Sequence, residues 1–368
     1  MNPQYRIFVV EFMSGQIWGE LPASDLSFTR PLSGAGSATV ELPLSSPVPW
    51  QALQPWRVLI YIQRGQQVLW GGPLLGFSGD LEAETVTLSA VGLWAYYRRR
   101  QITATSTFVQ QDQGTIARRL IEDFADGTGR IPWNTGPRCL SWDSSEVTGI
   151  RRDRTYYAHE RKFVGQAVED LTGVISGFSF RIDHGWLGSV LTSTIRFLPA
   201  AGEPTDVVLD HGSNCDVPAF TVDGTGMATE AAVTGAGDGE DQMAAWWYNL
   251  PLETDPSRRI PRLSAVESHQ DVTAAATLTE YARQMIAAGS MPVTIPSVRL
   301  YAGGSPGPGD VQVGHQVRVR VRAAGRLLVD GLYVITEIAV KVSDSGEESV
   351  LALVPVGVFG DVGSAASP

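Results

Sequence analysis

Two stretches of the chain, one near each end, repeat the same order of strands and turns. The first begins at Trp56 and reads WRVLIYIQRGQQVLWGGPLLGFSGDLEAETVTLSAVGL; the second begins at His315 and reads HQVRVRVRAAGRLLVDGLYVITEIAVKVSDSGEESVLALVPVGV. Each has a five-residue strand, a turn with glycine, a short strand ending before a second glycine, a long strand, an acidic turn and a closing strand that ends in Val-Gly. This layout predicts one β-unit built twice, and the alternative is a chance similarity between two β-meanders.

Between the two repeats the pattern changes from strands to helices. Residues 111–124 have helical periodicity, with an apolar face formed by Ile116, Leu120, Ile121 and Phe124. A second helix is predicted over 160–174, followed by two strand-like runs, GFSFRID and VLTSTIRFLP. Residues 106–205 therefore predict a small α+β unit inserted between β-rich parts. A third helix is predicted over 272–288, shortly before the second repeat.

The composition argues against a nucleic-acid-binding protein. The 39 acidic and 28 basic residues give a net charge of −11, opposite in sign to most phosphate-binding proteins. Cys139 and Cys215 are too few for a disulfide framework and match no zinc spacing, so we expect free thiols in a reducing compartment. The N-terminus lacks an export signal, and no window approaches about 18 apolar residues, so we expect a soluble, unexported chain without a membrane anchor.

The late repeat and the helix before it resemble a known protein family. The path runs from VTAAATLTEYARQMIAA through PSVRLYA and GDVQVGHQVRVRV to GLYVITEIAVKVSDSGEESVLALVPVG. It is similar to the C-terminal half of the tail-tip or baseplate hub proteins of long-tailed bacteriophages. The early run LWGGPLLGFSGD, followed by TLSAVGLWAYYRRRQI, resembles the first barrel of that family, particularly its minor tail protein branch in actinobacterial phages.

The resemblance implies a homotrimer in which each chain supplies two barrels like those of the tail tube. Three chains then form a pseudo-six-fold ring that joins the hexameric tail tube to the trimeric tip fibre or spike. The implied partners are distal tail and tail-tube proteins, the tape-measure protein and the fibre or spike proteins, with DNA only in transit. The implied location is the tail tip of the virion, after assembly in the host cytoplasm.

Together, the repeat and the resemblance predict a mainly β fold with an α+β insertion: two tail-tube-like β-barrel domains plus a small α+β domain. The expected parts are a first barrel at 1–105, which 206–222 is a candidate to complete, an inserted domain at 106–205, a second barrel with helix 272–288 at 223–360, and a disordered tail at 361–368.

A search for catalytic or metal-binding patterns finds none, so we expect no enzymatic activity, no cofactor and no metal. The five histidines lack paired-ligand spacing, and the sequence has no nucleophile elbow or phosphate-binding loop. Two acidic groups are interpreted as exposed charges rather than as a calcium loop or a glycosidase pair: Asp238, Glu240 and Asp241, and Glu122, Asp123 and Asp126.

Three groups of residues are candidates for an interface or the channel wall. In LWAYYRRRQI the aromatic residues close the first unit, and we expect the arginines to form ion pairs with the inserted domain or an adjoining subunit rather than to grip DNA. In VRVRVR the alternation places the valines in the core, and we expect the arginines to pair with acidic residues across the trimer interface. The candidates are Trp94, Tyr96, Tyr97, Arg98, Arg99, Arg100, Trp246, Trp247, Arg318, Arg320 and Arg322.

The run Trp246-Trp247-Tyr248 is predicted to lie in a long loop, where it is interpreted as part of the core or of a subunit interface. Aromatic side chains also stack on sugars, so the alternative function is a host-receptor or cell-wall glycan-binding component of the tail. A weaker alternative is a cell-wall hydrolase.

Overall fold

The computed structural model describes residues 5–23, 25–47, 50, 52–122, 140–143, 146–174, 176–257 and 259–359. Cys139, Asp123, Asp126 and the tail 361–368 lie outside the described residues. The described part is mainly β with few helices, which confirms the predicted fold class.

Along the chain, the elements fall into a first copy of the repeated unit, an inserted unit and a second copy. The first copy of the repeated unit comprises β1 (Tyr5–Glu11), β2 (Ile17–Leu21), β3 (Asp25–Pro31), β4 (Ser37–Pro43), β5 (Val58–Arg64), β6 (Gln67–Asp80), β7 (Thr85–Val91) and α1 (Trp94–Tyr97). The inserted unit comprises β8 (Ser106–Asp112), α2 (Gln113–Glu122), β9 (Ser141–Trp142), β10 (Arg151–Tyr156), α3 (Val164–Thr172), β11 (Phe178–Leu187) and β12 (Val190–Pro199).

The second copy is interrupted by a small satellite unit. It begins with β13 (Glu203–Asp210) and β14 (Cys215–Asp223). The satellite follows, with β15 (Glu230–Thr234), β16 (Ala244–Tyr248), α4 (Leu250–Thr254), β17 (Ser264–Ser268) and α5 (Ala275–Gly289). The copy is completed by β18 (Val293–Leu300), β19 (His315–Ala323), β20 (Arg326–Ser343) and β21 (Gly346–Pro355).

Within the described residues, thirteen strands form one sheet in the order β14-β18-β21-β20-β3-β4-β7-β6-β5-β1-β2, with β19 beside β20 and β13 beside β19. The long strand of the first copy is β6, and that of the second copy is β20. In each, the first half pairs with the preceding strand and the second half with the following one. Each long strand also carries a β-bulge at the same place, between Leu74 and Gly76 in β6 and between Ile335 and Glu337 in β20. The two copies therefore share strand pairing as well as layout.

The copies join where β3 pairs with the second half of β20, over six residue pairs from Glu337 with Pro31 to Val342 with Leu26. Apolar residues of both copies consequently form one shared core. Instead of the two separate barrels predicted, strands of both copies share the thirteen-stranded sheet, and no closed barrel is found among the described residues. The physical reason is that β3 uses its edge to bond the other copy rather than to close its own.

Residues 206–222 belong to the second copy by pairing. Within this range, β13 lies beside β19 and β14 beside β18, so the strands do not complete the first copy, which was the open alternative. The apolar runs VVLD and AFTV mark strands, but alternation alone does not select a partner strand.

The outer face of the sheet is covered in the first copy and open in the second. Alternate residues of β1 and β5 enter the shared core on one face and a second core on the other; Phe8, Val10, Leu59 and Tyr61 face the second core, which the inserted unit completes. In β19, by contrast, Val317, Val319 and Val321 are buried and the arginines between them are not, which confirms the predicted alternation.

A buried ion pair ties the two copies together. Arg64 of β5 donates from Nε to Glu347 Oε2 of β21 at 2.7 Å and from a terminal nitrogen to Oε1 at 3.0 Å, and the Tyr5 hydroxyl donates to Oε2 at 2.6 Å. The Glu347 side chain is only 2% exposed. Burial, the hydrogen bond and the negative charge of Glu347 raise the pKa of Tyr5 above its usual value.

We expect Glu347→Ala to lower the free energy of unfolding by about 3 kcal/mol, because removing one partner leaves a buried charge uncompensated. Chemical denaturation measures the change. The matched control is the adjacent Glu348→Ala, which removes an exposed pair with Arg299 and should change stability by less than about 1 kcal/mol. Equal effects of the two substitutions would contradict the assigned role of the buried pair.

Candidate interaction surfaces

The predicted aromatic cluster at residues 93–102 forms the joint between the first copy and the inserted unit. Trp94, in α1, is fully buried; its Nε1 donates to Glu169 of α3 at 2.6 Å, and its ring centroid lies 4.4 Å from that of Phe180. Tyr97 is also buried, and its hydroxyl accepts a hydrogen bond from the backbone N–H of Leu140 at 3.1 Å. These two side chains therefore serve packing within the chain.

The three arginines that follow find partners in the same chain. Arg98 Nε donates to Glu169 Oε1 at 2.6 Å. Arg99 lies over the ring of Trp56 at 4.8 Å, and Arg100 lies 6.0 Å from the ring centroid of Tyr96. The ion pair of Arg98 therefore links the first copy to the inserted unit, while the two cation–π contacts lie within the first copy.

A second joint is polar and links β11 and β12 to β5. The Ser193 hydroxyl lies 2.9 Å from His184 Nδ1 and 3.1 Å from the Tyr61 hydroxyl, and Trp186 Nε1 donates to Gln63 Oε1 at 2.8 Å. Burial lowers the pKa of His184 to about 3, with the positive charge of Arg30 acting in the same direction. Ser193 is 1% exposed, and the group links the inserted unit to the first copy by hydrogen bonds within the chain.

The depressed pKa of His184 predicts a pH-dependent stability. The neutral imidazole contributes fully above its unfolded value of 6.5, and this contribution is lost as the pH falls toward about 3 because the unfolded chain takes up the proton first. Between about pH 6 and about pH 4, we expect wild-type stability to fall more steeply than that of His184→Gln, by about 1 kcal/mol per pH unit.

Denaturation curves recorded across this pH range measure the difference. His159→Gln, at an exposed position, is the control and should follow the wild-type slope. If His184→Gln shows the same slope as the wild type, the imidazole does not titrate in this way.

The outward arginines of β19 are balanced within their own chain. Arg318 donates from Nε and a terminal nitrogen to the two carboxylate oxygens of Asp330 in β20, at 2.6 and 3.0 Å, and Arg320 Nε lies 3.7 Å from the same carboxylate. The hydrogen bond from Arg318 and its charge lower the pKa of Asp330. Asp330 thus pairs with two of these arginines within the chain, while Arg322 is exposed opposite Leu327.

The aromatic run of the satellite unit lies on a strand rather than in the predicted loop. Trp246 is 55% exposed, Trp247 40% and Tyr248 50%, and all three lie on β16, at the edge of the sheet β16-β15-β17. Helix α5 covers one face of this sheet, and the helix and the strands form a small core of their own between them. The other face places Trp246 and the exposed Val266 on either side of Ala232. These aromatics are surface residues of the described chain.

The structure also describes the surroundings of Cys215 and of the two acidic groups. Cys215 lies buried in the shared core, and burial raises its pKa to about 11, which keeps the thiol protonated. Asp238 and Asp241 are exposed, and Glu122 lies 3.5 Å from Arg119. Among the described residues, no cluster of His, Cys, Asp and Glu could hold a metal ion. No helix in the same ranges is long and apolar enough to cross a membrane.

The fold described above is similar to that of several tail proteins of known structure. The chain is similar to the 43 kDa tail protein of prophage MuSo2 from Shewanella oneidensis, with a TM-score of 0.62 and 13% identity over 96% of this chain and 99% of that one.

Two further tail proteins show the same likeness. The tail protein from Neisseria meningitidis MC58 has a TM-score of 0.59 and 14% identity, over 96% of this chain and 98% of that one. The prophage tail protein gp18 from Listeria monocytogenes has a TM-score of 0.55 and 13% identity, over 94% of each chain. No family model and no curated protein sequence matches, so the likeness concerns the fold.

Proposed function

We propose that this chain is a non-enzymatic structural subunit of a phage tail, located at the tail tip as a hub. The observation that carries the proposal is the fold similarity, which spans 96% of this chain and 99% of the Shewanella tail protein. A likeness over nearly the whole length of both chains favours a tail subunit over an unrelated protein that carries one shared domain. The proposed site of assembly is the host cytoplasm, before the tail joins the virion.

The duplicated unit supports a homotrimeric ring. Three chains with two similar units each present six similar units, which can dock on a hexameric tail tube and also hold a trimeric fibre or spike. The proposed partners are accordingly distal tail and tail-tube proteins, the tape-measure protein, and the fibre or spike proteins. DNA crosses the ring only in transit.

The charges of the chain are compatible with a channel through which DNA passes. The net charge is −11, and Arg318 and Arg320 are balanced by Asp330 within the chain. A wall with few unbalanced cations releases few counterions from DNA and does not retain it. We therefore propose that Arg318, Arg320 and Arg322 lie on the channel wall or at an interface between subunits, without a role in recognising a DNA sequence.

We expect the purified chain to assemble into a three-membered ring. Light scattering coupled to size-exclusion chromatography should give three times the chain mass of 39.6 kDa, and averaged electron micrographs should show three-fold rings with a central opening. A stable monomer or a two-fold dimer at high protein concentration would contradict the proposal.

The exposed aromatics of β16 favour a second candidate function, the binding of host receptors or cell-wall glycans. Large aromatic side chains that stay exposed on a sheet commonly serve recognition. We expect Trp246→Ala combined with Trp247→Ala to abolish any binding of the chain to host cell envelopes in a sedimentation assay.

The control for this candidate is Tyr157→Ala combined with Tyr301→Ala, which removes two other exposed aromatics and should leave binding unchanged. Binding that survives the tryptophan substitutions, or that is absent from the wild type, would exclude β16 as a glycan surface.

A further inference from the structure

The junction between the two copies provides a template for a contact between chains. In β20, the second half is paired on both edges, with β21 on one side and β3 on the other. Ile338 and Val340 of this half are buried, at 0% and 2% exposure, and Phe28 of β3 lies directly opposite Val340. The first copy contains the counterpart of this half, and the second copy contains the counterpart of β3.

The counterpart in the first copy lacks the second partner. The second half of β6 pairs with β7 on one edge, and no described residue bonds the backbone of 76–80 on the other edge. Phe77, which the shared bulge aligns with Ile338, is 47% exposed although the Trp50 ring lies 6.1 Å away. Leu75, two residues before Phe77, and Leu81, in the turn after β6, are 45% and 79% exposed. An apolar strand edge of this kind is a template for strand addition.

The counterpart of β3 in the second copy is β14, and it also has one free edge. It pairs with β18 just as β3 pairs with β4, and no described residue bonds the backbone of 218–223 on its other edge. Phe220 and Val222 are 39% and 57% exposed. The matching positions in β3 are Phe28 and Arg30, which are buried because β20 and the shared core cover them.

We propose that β14 of one chain pairs antiparallel with the second half of β6 of the next chain, so that the partner of this surface is a second copy of the same protein. This rests on the proposed ring and names the contact that closes it. Both edges are present in every chain and differ from each other, so the contact is head to tail and can close a ring. The free edge of β2 has no counterpart junction within the chain and is not assigned to it.

The template also fixes the register. Phe28 pairs with Ala38 and Phe220 with Pro296. They correspond because Ala38 and Pro296 each lie two residues before the valine that pairs with the matching leucine of the next strand, Val40 with Leu88 and Val298 with Leu351. Transferring the pairs of β3 and β20 to the new contact places Phe220 opposite Gly79, Val222 opposite Phe77, and Thr221 opposite Ser78. Among the described residues, only Val86 and Thr85 come within 4 Å of a Cβ added at Gly79, which leaves room for the Phe220 ring.

Disulfide trapping tests this register. Directly opposed residues of antiparallel strands have Cα atoms about 4.5–5.5 Å apart, within the range that a disulfide spans. Under mild oxidation, full-length chain with Ser78→Cys and Thr221→Cys should form covalent dimers and closed trimers on non-reducing electrophoresis. The control Ser78→Cys with Ala219→Cys, shifted by two residues, should crosslink far more slowly, and each single variant reports any contribution of the native cysteines.

A charge exchange tests the contact without oxidation. Phe77→Lys alone and Val222→Glu alone should each lose the assembled species, because each places one charge in the apolar contact, and the double variant should regain it through a cross-strand ion pair. Val266→Lys, at an exposed valine of β17, is the control and should assemble normally. Unfolding curves of the variants show that the monomer is intact.

The outcomes separate the two proposals. If the wild type is a trimer but the Ser78→Cys and Thr221→Cys pair forms no crosslink, the strand pairing is wrong and the ring stands. The same holds if the trimer survives both Phe77→Lys alone and Val222→Glu alone. A monomeric wild type with no trapping overturns both. In-register trapping together with rescue by the double charge variant supports the pairing.

Discussion

The hydrogen-bond ladder between β3 and β20 is the contact on which the rest of the structure depends. Strand edges carry unpaired backbone groups that need partners, and this ladder satisfies one edge of each copy at once. It also turns the apolar faces of both copies toward each other, so that one core serves both. The buried group of Tyr5, Arg64 and Glu347 exists only because the ladder brings the two copies together.

The two copies diverge in sequence because their outer faces have different neighbours. In the first copy the inserted unit covers the outer face, so VLIYI in β5 is apolar at every position and feeds two cores. In the second copy this face is open, so VRVRV in β19 alternates, and Asp330 balances two of its arginines. The same strand can therefore be built from an all-apolar or an alternating sequence, depending on what covers it.

This difference also shows what the sequence could predict. Local periodicity placed the valines of β19 inward and located α2 and α3 to within a few residues, because alternation and helical spacing are properties of neighbouring residues. It did not reveal that Trp94 would be buried, since Glu169 and Phe180, which cover it, are about 75 or more residues away along the chain. Partner choice has the same origin: Arg318 was correctly placed on the outer face, but the bond to Asp330 depends on the register of a hairpin.

The divergence of the copies has a consequence for the symmetry of the proposed ring. If equivalent ladders join the units within and between chains, the ring alternates first and second copies, and every first copy carries an inserted unit on its outer face. Six similar strand units then present three inserted units at alternating positions. In the proposed ring, the sheet would provide near-six-fold symmetry toward a tail tube, and the inserted and satellite units would provide three-fold symmetry toward a fibre or spike. Under this proposal one chain would meet both symmetries, because it contains two similar strand units and only the first is covered by the inserted unit.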